Sequence, residues 1–243
     1  MNEKSLSFLP PSRDIESRAV LRKLSRAGAA LAELKGVAAS IPNQSILVNT
    51  LALQEAKDSS AIENIITTHD DLYRSNALAR QFVTYAAKEV HNYATALRNG
   101  FEQVQRIGLL TNTDILQMQA CIEENDAGFR KLPGTALKNE QTGETVYTPP
   151  QHPDEIVSLM ENLEKFINDD TMSEWDALTK MAVIHHQFES IHPFYDGTGR
   201  IINILYLVKQ GLLGSPVLYL SRYINQNKAD YYRLLQKVRD EDA

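Results

Sequence analysis

The stretch QFESIHPFYDGTGRIINILYLV places a histidine, an acid, two glycines and an arginine close together. The imidazole of His192 can remove a proton from a hydroxyl, and the carboxylate of Asp196 can hold a magnesium ion. Gly197 and Gly199 permit tight turns in which backbone amides approach an anion, and Arg200 offers a forked donor for phosphate oxygens. These residue types predict a site where a base activates a hydroxyl that attacks a phosphorus atom.

Two predicted helices position these residues, one on each side of the loop. Apolar residues of the first helix recur every three or four positions, and Pro193 disfavours helical backbone at His192, so we expect that helix to end there. The second helix, RIINILYLVKQG, is apolar almost all the way round and is therefore predicted to be buried. Its start directs free N–H groups and a positive dipole end at the loop, which favours an anion.

The composition bounds the class of protein. The chain has 243 residues, of which 43% are hydrophobic and 23% charged, an ordinary globular balance. Its net charge of -6 argues against direct nucleic-acid binding. A single cysteine, Cys121, excludes an internal disulfide and fits a reducing compartment. Neither a signal peptide nor an apolar run of about 20 residues is found, so we expect a cytoplasmic protein with no membrane partner.

The rest of the chain is predicted to be a mainly α-helical domain. Residues 1–13 contain two prolines and are predicted to be an extended arm. Apolar periodicity predicts a helix from about Asp14 to Gly36, where the glycine would end it. Residues 132–150 carry turn-forming residues and predict a short β-hairpin, whereas residues 215–224 are predicted to be extended or irregular.

The loop resembles the signature of the Fic family, which runs His-x-Phe-x-Asp/Glu-Gly-Asn-Gly/Lys-Arg. The matching residues are His192, Phe194, Asp196, Gly197, Gly199 and Arg200. The resemblance implies an all-α fold, a Fic-type helical bundle with a small β-hairpin flap. It also implies transfer of AMP from ATP to a Ser, Thr or Tyr hydroxyl of a target protein, with His192 as the catalytic base and Asp196 as the ligand of Mg²⁺.

A second segment, DSSAIENI, resembles the inhibitory motif Ser/Thr-x-x-x-Glu-Gly/Asn, which some Fic proteins carry ahead of the catalytic core. Ser59, Glu63 and Asn64 match it, and this part of the chain is similar to the bacterial subgroup typified by the Shewanella enzyme. Ser59 and Glu63 would share one helix face, and the carboxylate would pair with the arginine of the phosphate site. The resemblance thus implies autoinhibition by Glu63, with removal of AMP as a reverse activity; the alternative is a solvated helix charge.

The resemblance also implies the remaining contacts of the two substrates. The residues assigned to ATP are Glu63, Phe194, Gly197, Thr198, Gly199, Arg200, Tyr231 and Tyr232. The two tyrosines resemble family aromatics near the adenine, although simple helix packing explains them equally well. A target segment would dock by strand addition on the flap, residues 135–147. Self-modification and a homodimer stay open.

The resemblance divides the chain into two regions. Residues 1–74 would form an N-terminal Fic-associated region with the inhibitory helix. Residues 75–243 would form the catalytic core, which we expect to be shorter at its C-terminus than in related proteins.

The loop departs from the family signature in one of two ways. In one alignment Thr198 replaces the expected asparagine and Asn203 replaces a second arginine. In the other, which we favour, Asn-Gly-Arg is deleted after Gly197 and Arg200 becomes the second arginine, the partner of Glu63. Because an anion nest depends on its backbone path, a catalytically impaired nucleotide-binding or interaction module is the alternative to an active enzyme.

A metal-hydrolase cluster is a third interpretation of the same region. Its ligands would be His185, His186, His192 and Asp196. Adjacent side chains on a helix point about 100° apart, so the first two histidines would not converge well. Their spacing also differs from His-Glu-x-x-His.

Overall fold

The structure, a computed structural model, describes residues 6–75, 81–138, 142–194 and 199–241. Within these residues the chain forms ten α-helices and one two-stranded antiparallel sheet. The helices are α1 (Arg18–Ser40), α2 (Gln44–Ile62), α3 (His69–Arg74), α4 (Tyr85–Ile107), α5 (Asn112–Glu123), α6 (Pro153–Asn168), α7 (Ala177–Ile191), α8 (Gly199–Lys209), α9 (Leu220–Gln226) and α10 (Lys228–Glu241). The strands are β1 (Leu137–Lys138) and β2 (Thr145–Tyr147), with Leu137 opposite Tyr147. The predicted all-α class with one small hairpin is confirmed.

The main core forms where α4, α6, α7 and α8 meet. Helix α8 lies at its centre, and every residue from Gly199 to Leu207 is buried. This is the outcome that its apolar circumference predicts. Helices α4 and α7 pack against it, and apolar side chains of α6 belong to the same buried cluster. The helix that follows the glycine-containing loop is therefore anchored in the main core.

Helix α4 approaches α8 and α5 closely at Gly100. A Cβ atom at this position would lie 2.6 Å from Leu205 Cδ1 and 2.8 Å from Met118 Sδ. Both distances are shorter than the contacts that packed side chains make. A larger residue at this position would therefore require the Leu205 and Met118 side chains, or the helices themselves, to move.

Helix α2 packs against α4 and α9, which fixes the segment that follows it. The buried Glu55 carboxylate accepts hydrogen bonds from Ser221, one from the backbone N–H at 2.9 Å and one from the hydroxyl at 2.5 Å. One helical turn later, Asp58 accepts a short hydrogen bond from the Tyr219 hydroxyl. These contacts attach the C-terminal half of α2 to the start of α9.

Two sequence predictions about helix boundaries are wrong. Helix α1 does not end at Gly36 but continues to Ser40, and Ile41 then adopts extended backbone. Pro42 explains this position, because a proline disfavours helical backbone in the residue before it. Residues 215–224 are not extended throughout, since α9 begins at Leu220. Across the described ranges, no helix is long and apolar enough to cross a membrane.

Candidate active site

His192 lies where α7 ends, as Pro193 predicts. Helix α7 finishes at Ile191, and His192 adopts left-handed backbone with φ 47° and ψ 60°. Its N–H donates to the Phe188 carbonyl at 2.9 Å, which closes the last helical turn. The side chain is half-buried. The imidazole is thus fixed at a helix exit by a backbone conformation that L-residues rarely adopt.

The electrostatic surroundings of His192 keep its imidazole neutral. Burial lowers its pKa below the ordinary value of 6.5, because a charged ring would lose its hydration. The Glu189 carboxylate opposes this effect, whereas the cationic side chains of Arg130 and Arg239 add to it. A neutral imidazole near pH 7 is the form that can accept a proton.

The start of α8 contacts the end of α7 directly. Gly199 is buried, and a Cβ atom there would collide with the Glu189 carboxylate and lie 3.1 Å from Phe188 Cδ1. A larger residue at this position would require the Glu189 side chain to move. The contact places the first turn of α8, whose N–H groups have no acceptor within the helix, beside the helical turn that leads to His192.

Arg200, the second residue of α8, is 3% exposed and contacts the segment that ends α2. Its Nε donates to Ser59 Oγ at 2.7 Å, and its Nη2 reaches the Ser59 carbonyl at 3.4 Å. The same Nη2 makes a short ion pair with Glu63. Burial alone would lower the pKa of the guanidinium, but the Glu63 carboxylate, together with smaller contributions from Tyr93, Tyr231 and Glu189, outweighs burial and raises it above its usual value.

Glu63 lies one residue beyond α2 rather than within it. It forms the C-cap, and Asn64 follows with a positive φ of 66°. The Ile65 N–H then donates to the Ser60 carbonyl at 2.9 Å, and Lys228 Nζ donates to Asn64 Oδ1 at 3.0 Å. The prediction placed Ser59 and Glu63 on one face of a helix, but the helix ends at Ile62, just before Glu63. Both side chains nevertheless meet Arg200.

The aromatic residues singled out in the sequence occupy three different environments. Phe194 is 3% exposed and packs in the core, with its ring centroid 5.5 Å from that of Phe129. Tyr231 forms a 2.9 Å hydrogen bond with His185 Nε2. Tyr232 is 47% exposed and lies edge-on to Tyr231. The two tyrosines thus differ sharply in their access to a ligand.

The candidate metal ligand and part of the glycine turn lie outside the described residues. They are Asp196, Gly197 and Thr198. In the ranges that the structure does describe, no three His, Cys, Asp or Glu side chains are grouped so that they could hold a metal ion. Burial lowers the pKa of His185 to about 3 and that of His186 to about 4. These two half-buried residues are therefore neutral side chains.

The hairpin lies beside the same turn. Its strands are half-buried or exposed, and residues 139–141 of the candidate flap lie outside the described residues. The Tyr147 hydroxyl, at the end of β2, donates to the Ser190 carbonyl in α7 at 2.9 Å. One end of the hairpin is therefore attached to the helix that ends at His192.

Arg130, which no sequence pattern singled out, is 2% exposed. Its Nε donates to the His192 carbonyl at 2.7 Å, and its backbone N–H donates to the Pro193 carbonyl at 2.8 Å. No local pattern marks this residue, because its partners lie about sixty positions further along the chain. A buried arginine can be recognised only once the fold is known.

Comparisons with known proteins give two family matches. A family model described as Fic/DOC family N-terminal matches residues 21–102. A second model, described as Fic/DOC family, matches residues 109–208. The two matches together include most of the chain.

Among curated proteins, similar sequences are named protein adenylyltransferase Fic. Those from Drosophila erecta and Drosophila ananassae are each 27% identical to this chain over 93 residues. The match covers 38% of this chain and 18% of each relative, so the chain spans only a small part of the curated relatives it matches.

Solved structures show the same fold. A Fic family protein from Desulfovibrio desulfuricans G20 has a TM-score of 0.72 at 20% identity, over 96% of this chain and 70% of that chain. A Fic domain containing signaling protein from Bacteroides thetaiotaomicron has a TM-score of 0.59 at 19% identity, over 88% of this chain and 80% of that chain.

Proposed function

Because the chain belongs to the Fic/DOC family, we propose that it is a protein adenylyltransferase, which transfers AMP from ATP to a Ser, Thr or Tyr hydroxyl of a target protein. The curated relatives that bear this name support the reaction class. One structural observation carries the proposal. A neutral, half-buried imidazole, that of His192, lies at the exit of α7, whose last turn contacts the anion-attracting start of α8.

In the proposed reaction, His192 accepts the proton of the target hydroxyl. The hydroxyl oxygen then forms a bond to the α-phosphorus of ATP, the bond from that phosphorus to the bridging oxygen breaks, and pyrophosphate leaves. N–H groups at the start of α8 and the guanidinium of Arg200 would oppose the negative charge of the phosphates. Most of the rate would come from positioning and charge stabilisation, as in phosphoryl transfer in general.

Magnesium would neutralise part of the triphosphate charge when bound. We assign it to Asp196, which lies outside the described residues. Mg²⁺ usually takes one or two carboxylates together with phosphate oxygens and water. A single carboxylate in the loop is compatible with that arrangement.

Glu63 would restrain the enzyme through Arg200. The ion pair engages the guanidinium that the triphosphate needs, and the carboxylate would repel the γ-phosphate. ATP would then bind in an unproductive pose. Residues 1–74 would therefore supply the brake, with Ser59 and Asn64 shaping it, and residues 75–243 the catalytic core. The same Glu63 could position water for the reverse reaction, removal of AMP.

The target would dock on the flap, residues 135–147, by strand addition. Both strands are short and exposed or half-buried, which is compatible with docking at this surface. Self-modification follows if a segment of the same chain, or of a second copy in a homodimer, reaches that edge. Tyr231 and Tyr232 would lie near the adenine.

The proposal is tested by label transfer from ATP in three proteins side by side. We expect low transfer by the wild type, higher transfer by Glu63→Gly and none by Glu63→Gly combined with His192→Ala. Target proteins in a lysate and the chain itself are both scored as acceptors. Absence of transfer by Glu63→Gly to any acceptor would rule the proposal out.

The second candidate is a nucleotide-binding module that the shortened loop has disabled. In the alignment in which Asn-Gly-Arg is deleted after Gly197, Arg200 is the second arginine, which is expected to pair with Glu63. The observed pairing of Glu63 with Arg200 supports that alignment. This candidate predicts nucleotide binding without transfer, and restored transfer when Asn-Gly-Arg is inserted after Gly197.

A further inference from the structure

The backbone carbonyls around the exit of α7 are bound by side chains from elsewhere in the fold. Arg239 of α10 donates from Nη2 to the Glu189 carbonyl at 3.0 Å. Tyr147 of β2 donates its hydroxyl to the next carbonyl, that of Ser190, at 2.9 Å. Carbonyls in the last turn of a helix have no partner within the helix, and water or a glycine cap usually satisfies them. Here two other elements do so.

Arg130, in the segment between α5 and β1, binds the carbonyls that follow. Its Nη2 lies 3.5 Å from the Ile191 carbonyl, its Nε donates to His192 at 2.7 Å, and its backbone N–H donates to Pro193 at 2.8 Å. Nη2 also donates to the Pro150 carbonyl at 2.8 Å, three residues beyond the end of β2. One guanidinium thus joins the turn that holds His192 to the base of the flap.

Burying a charged arginine is unfavourable unless its donors are satisfied. Here Nε and Nη2 face a row of carbonyl dipoles at the negative end of α7, which is a favourable position for a cation. The row includes the carbonyl of His192, whose left-handed backbone is itself unfavourable for a residue with a Cβ atom. Arg130 therefore binds the carbonyls of both peptide groups that follow the Cα atom of His192, the strained residue of this turn.

We propose that Arg130 is a positioning residue, which fixes the backbone of His192 and Pro193 so that the imidazole points at the target hydroxyl. Tyr147 ties the same turn to the flap strand, so a target segment added to that strand contacts the element that positions the base. This inference rests on the proposed adenylyl transfer. It adds the group that aligns the base and the route by which target docking reaches it.

Three charged groups face His192, and they shape the test. They are Glu189 on α7, Arg130 on the segment after α5, and Arg239 on α10. Replacement of Arg130 by Met removes a positive charge, which raises the pKa of His192. It also removes the side-chain hydrogen bonds to the backbone carbonyls around His192. Replacement by Lys keeps the charge but not the fork that reaches several carbonyls.

The activity test introduces Arg130→Lys and Arg130→Met into the Glu63→Gly protein. We expect kcat to fall by about 10- to 100-fold in both, with KM for ATP changed by less than about threefold, because a displacement near 1 Å is costly in this way. Lys180→Met is the matched control. Lys180 is a cation on α7 that is 3% exposed and binds Asp170 at 3.0 Å, so its loss lowers thermal stability without lowering kcat. An unchanged kcat in Arg130→Lys would overturn the inference.

A titration of the His192 ring by NMR tests the inference without any need for turnover. We expect the ring signals to shift in both Arg130 variants, and the pKa of His192 to rise in Arg130→Met but not in Arg130→Lys. If Glu63→Gly shows no transfer, the proposed function fails, and the ring signals alone decide on Arg130. Signals identical to those of the parent would then overturn its positioning role.

Tyr147→Phe provides a milder variant, in case the Arg130 variants do not fold. It deletes one hydroxyl and keeps the ring that stacks under Arg239, 4.2 Å from the guanidinium carbon to the ring centroid. We expect a several-fold loss of kcat together with a smaller shift of the His192 ring signals. Retention of full kcat and of the parent signals would overturn the link between flap and base.

Discussion

At the residue scale, burial shifts the pKa values of His192 and Glu55 in opposite directions. Loss of water keeps the imidazole neutral and lowers its pKa, which preserves a base. The same loss raises the pKa of Glu55 to about 7, despite two hydrogen bonds from Ser221. His192 thereby remains a proton acceptor near neutral pH, whereas Glu55 makes the stability of the fold depend on pH.

The lowered pKa of His192 predicts the pH profile of transfer. In the Glu63→Gly protein we expect the rate to stay near its maximum below pH 6.5, the ordinary histidine value, and to fall only when the ring takes up a proton at lower pH. Initial rates between about pH 5 and pH 8 measure this, with circular dichroism to verify folding at each pH. An acid limb centred at or above 6.5 would contradict the lowered pKa.

Glu55→Gln should change how stability varies with pH. The folded protein keeps the Glu55 proton up to about pH 7, whereas the unfolded chain releases it near 4.5. The stabilisation is therefore complete below 4.5 and is lost as the pH rises through 7. Relative to the variant, the wild type should lose about 3 kcal/mol of unfolding free energy over this range. Urea unfolding of both proteins at several pH values checks this, and parallel pH dependences would disprove it.

At the element scale, the sequence predicted helices well where both the interior and the end have a local cause. Pro193 ends α7 and Pro42 ends α1, and the apolar circumference of RIINILYLV marks a buried helix. Gly36 misled the prediction because a glycine weakens a helix interior without ending it. The start of α9 could not be predicted, because part of its support is the Glu55 carboxylate at Ser221, 166 residues away.

Two glycine substitutions separate close packing from helix propensity. Gly100→Ala would force α4 away from Leu205 and Met118, so we expect a loss of about 1–3 kcal/mol of stability. Gly36→Ala is the matched control, because that helical position has nothing within 4 Å of an added Cβ atom, and it should gain about 0.5–1 kcal/mol. Denaturant unfolding of both variants checks the pair. An unchanged free energy of unfolding in Gly100→Ala would mean that α4 and α8 do not approach this closely.

At the scale of the whole molecule, the candidate site joins segments that are far apart in the chain. Ser59 and Glu63 reach Arg200 across more than 130 residues, and Arg130 reaches His192 across 62. The resemblance of DSSAIENI to an inhibitory motif suggested the first pairing. No motif suggested that Arg130, Tyr147 and Arg239 bind the backbone carbonyls around the exit of α7. Every residue has a backbone carbonyl, so such hydrogen bonds leave no pattern in the sequence.

Release of Arg200 from Glu63 should change how ATP stabilises the fold. Glu63→Gly removes one partner of a largely buried pair, so we expect the protein without ligand to lose about 1–3 kcal/mol of stability. The freed guanidinium can then bind the triphosphate, and saturating ATP should raise Tm more in the variant than in the wild type. Thermal unfolding with and without ATP measures both effects. An equal rise in the two proteins would show that Glu63 does not limit access to Arg200.

The most direct measurement compares ATP labelled at the α-phosphate with ATP labelled at the γ-phosphate, using the Glu63→Gly protein and acceptor proteins. Adenylyl transfer predicts that the α-label becomes attached to protein, that the γ-label does not, and that addition of His192→Ala abolishes attachment. Attachment of the γ-label, of neither label, or of the α-label without His192 would contradict the account.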